Sequence, residues 1–155
     1  MTVAARSSRI DRTIEIQAPP ERVWRALTTA EELSTWFQVA IEGTIAPGSE
    51  LWMTSTHSQH AGMRWPVRII ELTPPRRMVW QWHPGAIDPA IDYSKEPQTT
   101  VIFTLEPVEK GTRLTVAETG FDQISLARRA KVFADNTQGW TEVLVWLQTH
   151  VEAAR

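Results

Sequence analysis

Residues 130–153, AKVFADNTQGWTEVLVWLQTHVEA, decide the fold. Val132, Phe133, Asn136, Trp140, Val143, Leu144, Leu147 and Val151 recur at steps of three and four, the period of one helix face. A helix over these residues rises roughly 36 Å. So long an apolar stripe must be buried against another layer. Asn136 and Gly139, beside Trp140 near its middle, are poor helix-interior residues. Gly139 reads either as close packing against a sheet or as room left for a ligand.

Upstream the period falls to two, which supplies that layer. In Arg9–Ile16, Ile10, Ile14 and Ile16 share a face that Arg12 interrupts. Ala18-Pro19-Pro20 stops this strand, and Pro20 opens a helix carrying Val23, Trp24 and Leu27. Thr29 and Glu32 have capping-box spacing for a second short helix ending near Trp36. Val39 and Ile41 suggest another strand. Leu51, Met53, Ser55 and His57 then alternate with Trp52, Thr54 and Thr56. A strand from Met63 to Leu72 contains Pro66, which belongs at a bulge or an edge. Met78, Trp80 and Trp82 alternate with Val79, Gln81 and His83. Residues 83–98 form a connection long enough to be a lid or binding loop. Val101, Phe103 and Leu105 point inward from the next strand. The last strand, from Arg113 to Thr119, puts Leu114, Val116 and Glu118 on one face. One helix buried on one antiparallel sheet is an α+β domain. If the sheet curls around the helix, a cavity opens between them.

Composition agrees. The 155 residues carry a net charge of −2, with 42% hydrophobic and 22% charged residues. A chain of this length can bury roughly 70% of its unfolded surface in one core. Near-neutral charge gives no pull toward nucleic acid or an acidic membrane. The absence of cysteine excludes disulfides, thiol catalysis, cysteine-ligated zinc and iron–sulfur clusters. No apolar run resembles a signal peptide or a membrane span, so a cytoplasmic protein is expected.

Eight tryptophans stand against one tyrosine and four phenylalanines. They fill a core, or they wall a flat-sided interior suited to an aromatic or lipid-like molecule. Trp65, Trp80, Trp82, Trp140 and Phe133 are the candidate wall, with Met53 and Phe103 on the same sheet face. Trp52 falls on the other face and would mark an exposed patch or a homodimer contact.

Glu118 is the sharpest candidate for chemistry. A carboxylate on an apolar strand face needs a partner. It anchors or deprotonates a ligand, with His57 or Ser55 opposite; otherwise the strand end bends out and Glu118 is solvated or pairs with Arg12 or Arg128. His57 and His60 are three apart with no evident third ligand, so no metal site is expected. No nucleophile elbow, phosphate loop or metalloprotease motif occurs, and no cofactor is expected.

Several segments resemble a known family in order along nearly the whole chain. They are APPERVWRAL (18–27), Glu32-Leu33, Trp36-Phe37, Pro47-Gly48, PPRRMV (74–79) with Trp82, GTRLTV (111–116), ETGF (118–121), Asn136 and Gly139-Trp140. They look like the activator-of-heat-shock-protein-ATPase-like branch of the START-like, or SRPBCC, superfamily. The resemblance implies a helix-grip fold: a curved antiparallel sheet of six to seven strands around a long C-terminal helix, with two short helices after the first strand. A single domain over 1–155 is expected, with 1–8 flexible. Relatives often carry His at the place of Glu118, which implies a polar group in the cavity. The superfamily stores hydrophobic small molecules, and a minority of members do chemistry. Relatives with pieces like Trp82-His83-Pro84 and Asp92-Tyr93-Ser94 carry vanillate-demethylase-type labels; without cysteine or a dinucleotide glycine fingerprint, that electron transfer is not expected here. The chaperone co-factor role belongs to a larger eukaryotic protein.

The leading expectation is a protein holding a hydrophobic, aromatic or lipid-like molecule. The site would comprise Met53, Ser55, His57, Trp65, Trp80 and Trp82 from the sheet, with Phe103, Glu118, Phe133, Asn136 and Trp140. The alternatives are a cyclase, dehydratase or hydrolase using Glu118 and His57 as acid and base, and a protein-interaction module using the outer sheet face.

Overall fold

The computed structural model describes residues 9–57, 61–85 and 90–153. Seven strands form one antiparallel sheet in the order β1-β7-β6-β5-β4-β3-β2. They are β1 (Arg9–Ile16), β2 (Val39–Glu42), β3 (Glu50–Ser55), β4 (Arg64–Thr73), β5 (Arg77–Trp82), β6 (Thr99–Val108) and β7 (Gly111–Thr119). Two short helices, α1 (Pro20–Thr28) and α2 (Ala30–Trp36), follow β1, and the long α3 (Leu126–Ala153) ends the chain. The sheet curves around α3, as the helix-grip architecture requires.

The inward face is apolar where alternation placed it. Leu51, Met53, Val67, Trp80, Val101, Phe103, Leu114 and Val116 are all fully buried. Each large side chain removed from water contributes about 1.5–3 kcal/mol. From α3 the buried residues are Val132, Trp140, Leu144, Leu147 and Val151. Their spacing leaves one empty place, which Asn136 fills at four residues from both Val132 and Trp140. The helical stripe is continuous in geometry and interrupted once in polarity.

α3 starts at Leu126, four residues before the periodic stretch. The backbone carbonyl of Ser125 accepts from the N–H groups of Arg128 and Arg129. Leu126 and Ala127 face water, so hydrophobic period could not show this first turn. Ahead of it, Phe121–Gln123 form a 3-10 turn.

The capping box does not form. Thr29 makes no side-chain cap bond at the start of α2. Glu32 turns instead to Arg22 of α1 (2.8 Å), Arg25 (3.1 Å) and His150 of α3 (2.9 Å). Three cationic or hydrogen-bonding partners outbid one backbone N–H, and the result ties the three helices together. Burial alone would raise the Glu32 carboxyl; His150, Arg22 and Arg25 outweigh it and hold it below its ordinary value. Trp36 Nε1 donates to the Ala26 carbonyl at 2.7 Å and fixes α2 against α1.

Pro66 pairs with Trp52 across β3, one residue beyond the last β4–β5 pair, Val67 with Trp82. It therefore meets no β5 partner that its missing N–H would fail. The register shift in β4 lies elsewhere, between Ile69 and Glu71. Gly111, entering β7 at φ 154°, has a packing reason of its own: a Cβ there would sit 2.1 Å from the Ile16 carbonyl oxygen. Among the described residues, no helix is long and apolar enough to cross a membrane.

Candidate functional site

Glu118 points inward and is fully buried. Position 118 follows Leu114 and Val116 on the concave face of β7, and its strand neighbours are Ile10 and Val101. The outward alternative is thereby overturned: Glu118 is not solvated and does not pair with Arg12 or Arg128. Arg12 bonds Thr141 and the Asp11 carbonyl, while Arg128 bonds Glu96 and the Pro84 carbonyl.

Four neutral side chains converge on this carboxylate. Trp140 Nε1 donates to Oε1 at 2.8 Å, and Trp82 Nε1 to Oε2 at 2.8 Å. Thr99 Oγ1 donates to Oε2 at 2.5 Å. Asn136 Nδ2 reaches both oxygens, at 3.0 and 3.2 Å. The donors come from β5, β6 and α3. A buried carboxyl group without such partners would cost several kcal/mol. Asn136 breaks the apolar stripe because Glu118 requires a donor at that height.

These partners shape a pocket. It has a volume of ≈ 100 Å³ and is lined by Phe37, Trp82, Asn136, Gly139, Trp140 and Val143. The aromatic walls are nearly parallel: Trp82 stacks on Trp140 with centroids 5.9 Å apart and planes at 29°, and on Phe37 at 6.5 Å and 22°. Gly139 settles between its two readings. A Cβ built there meets nothing within 4 Å. No sheet atom presses on it, so close packing is not its reason; it borders open space.

The sequence candidates are distributed as follows. Trp82, Asn136 and Trp140 line the pocket, and Glu118 lies behind them as their common acceptor. Met53, Trp80 and Phe103 are fully buried in the packed core. Trp65 is half-buried beside them, opposite Met53. Phe133 packs edge-on against Phe121 at 5.3 Å. Ser55 is buried and accepts from the His57 N–H at 3.3 Å. The His57 ring stacks on Trp146 of α3 at 5.4 Å and makes no hydrogen bond to Glu118, so the structure does not assemble that acid–base pair. Among the described residues, these candidates divide between the packed core and the pocket beside Trp82 and Trp140. His60 lies outside the described residues, as do residues 1–8. Among the described residues no cluster of three His, Asp or Glu could hold a metal.

Sequence reasoning missed Thr99, Phe37 and Val143. Thr99 could have been found, because it heads β6 directly opposite Trp82. Phe37 follows α2 in a segment with no period to read.

Trp52 does not form an open apolar patch. The Arg64 guanidinium covers its ring at 4.1 Å and pairs with Glu42 at 3.2 Å. The connection after β5 is described at 83–85 and 90–98, with 86–89 outside the described residues. Arg128 of α3 holds its two ends through Glu96 and the Pro84 carbonyl, and lies over the Tyr93 ring at 4.9 Å. Burial pushes the neighbouring His83 imidazole below its ordinary value, against the raising effect of Glu96.

A family model described as activator of Hsp90 ATPase homolog 1-like protein matches residues 17–152. The chain belongs to this family. No curated protein sequence matches this member of the Hsp90 ATPase activator-like family. Solved structures do. Protein MLL2253 from Mesorhizobium loti is similar at 25% identity and TM-score 0.74, over 95% of this chain and 98% of that one. The Aha1 dimer from Colwellia psychrerythraea is similar at 24% identity and TM-score 0.69, over 93% and 96%. DynU16, from the dynemicin biosynthetic locus, has 19% identity and TM-score 0.74; 96% of this chain covers 48% of that one. The last two likenesses speak for architecture alone.

Proposed function

We propose that this protein binds a small, flat aromatic molecule in the pocket between the end of β5, the end of α2 and the middle of α3. Gly139 is the observation that carries the reading. A glycine inside a 28-residue helix costs about 1 kcal/mol relative to alanine, and here packing gives no reason for it. Gly139 lines the pocket with Phe37, Trp82 and Trp140, and its missing side chain leaves open space there. Drug-sized ligands occupy pockets of about 300–1,000 Å³, whereas an apolar cavity of roughly 150 Å³ accepts benzene. A pocket of ≈ 100 Å³ is nearer the single-ring scale than the drug-sized one, which supports a ring-sized ligand over a lipid-like one.

The test is titration with single-ring aromatics followed by tryptophan emission, because Trp82 and Trp140 form the walls. Saturable one-to-one quenching is expected, and Gly139→Leu, which fills the slot, should abolish it while the variant stays folded. Absence of quenching by every ring compound up to millimolar concentration, or equal quenching in Gly139→Leu, would overturn the reading. A cytoplasmic location remains part of the proposal. So does a homodimer, whose support is the dimeric Colwellia relative rather than Trp52; sedimentation velocity decides it, with a monomer at all concentrations counting against.

A further inference from the structure

The carboxylate behind the pocket has hydrogen-bond partners but no counter-charge. Trp82, Thr99, Asn136 and Trp140, which donate to Glu118, are all neutral. Four donors on two oxygens match an ionised carboxylate, which only accepts. They satisfy its lone pairs and leave its charge uncancelled. Among the described residues no Arg, Lys or His pairs with it. Glu118 is fully buried, so its field is little screened by salt, and three of its four donors line the pocket. The surroundings do not restore the balance. Exposed Glu142, one turn from Gly139 on α3, accepts from the neutral Gln138 amide at 3.3 Å. Lys131 pairs with Asp135 at 2.8 Å. Arg12 reaches α3 at Thr141, two residues from Gly139 and so about 200° round the helix from it. Arg128 pairs with Glu96, and its place on α3 precedes Gly139 by roughly 16 Å along the axis.

We infer that the aromatic molecule bound here is a cation, of the pyridinium or benzylammonium type, selected by the buried charge of Glu118. The inference rests on the pocket being a ligand site, as proposed above. The ring lies against the pocket's apolar lining, and its charge supplies the counter-ion that the fold leaves out. Glu118 acts at a distance, because its oxygens are already occupied by Trp82, Thr99, Asn136 and Trp140. Selection therefore needs no hydrogen bond from the ligand. Aromatic carboxylates meet the same field with the opposite sign and are rejected.

The experiment compares N-methylpyridinium with toluene on the wild-type protein by calorimetric titration at neutral pH. The two have the same shape, differ by one charge and carry no N–H or O–H group. N-methylpyridinium should bind about tenfold tighter, and benzoate should bind more weakly than either. The order is diagnostic because toluene is the more hydrophobic and wins wherever burial alone decides. The preference should persist in about 0.5 M salt, which screens exposed charges but not buried ones; its loss there would move the attraction to the surface and overturn the role of Glu118. In Glu118→Gln the preference should vanish while toluene still binds, and a preference retained in that variant overturns the inference. Should the variant not fold, the wild-type pair and its salt dependence decide by themselves. Equal or tighter binding of toluene by the wild-type protein overturns the inference and leaves the ring-binding pocket standing. Failure of both rings to bind overturns both readings.

Discussion

At position 118 a single carboxylate takes hydrogen bonds from four side chains that lie far apart in sequence. Glutamine has nearly the same shape but must present an N–H₂ on one side. In Glu118→Gln the amide N–H₂ would then face the N–H of Trp140 or of Trp82, donor against donor, while the Thr99 hydroxyl can turn to accept. The expected loss is about 1–3 kcal/mol per donor left unmatched, read as a lower urea midpoint with weaker near-ultraviolet circular dichroism. The tryptophans allow a sharper comparison. Trp140 gives its N–H to Glu118, whereas the N–H of the fully buried Trp80 has no partner. Trp140→Phe should therefore destabilise more than Trp80→Phe, by about 1 kcal/mol. The reverse order would show that Trp80 N–H finds an acceptor in solution. Strand and helix periods brought Trp82, Glu118, Asn136 and Trp140 into one candidate site, with an outward-facing Glu118 left open. They could not show that these side chains bond to one another, since a face says nothing about which side chains across the sheet stand at the same height.

Within the elements, α3 carries a residue that is poor for the helix and good for the pocket. Gly139→Ala meets no atom within 4 Å and adds helix propensity, so it should stabilise by about 1 kcal/mol; a loss of stability in thermal melts would mean the space is needed in the unliganded fold. The joint of α1, α2 and α3 at Glu32 makes a different forecast. Its carboxyl titrates below its ordinary value of 4.5 in the folded chain, so between the two values the unfolded chain binds more protons. The stability this contributes is complete above about 4.5 and is lost as pH falls through the folded value. The lowered His83 has the same sign in a higher window: stability declines as pH drops below 6.5 toward its folded value. Glu32→Gln should flatten the acid limb of a stability-versus-pH curve and leave the His83 window in place. An unchanged acid limb would remove Glu32 from the account. The capping-box reading failed here for a reason of distance in sequence: Glu32 sits three residues after Thr29, but its strongest partners are ten residues before it and 118 after it.

For the whole molecule, the alternating strands, the proline stops and the helical stripe indicated a helix buried on one antiparallel sheet, and the curved, gripping sheet was what the family resemblance implied. Cavity size was not legible, because it is a small difference between the space enclosed and the side chains that fill it. One consequence of how α3 lies has to do with neighbours rather than with ligands. A seven-stranded sheet that does not close has two margins, and unpaired backbone along a margin recruits other chains. β2 is only four residues long. Along β1, Gln148 Nε2 donates to the Glu15 carbonyl at 2.9 Å, and Glu152 accepts from the Gln17 N–H at 2.9 Å. Helix side chains thus occupy the positions that an eighth strand would take. Replacing Gln148 and Glu152 together by alanine should leave the pocket intact and promote concentration-dependent self-assembly with a rise in thioflavin fluorescence. The helix that the sheet grips would then prove to be what keeps that sheet from growing.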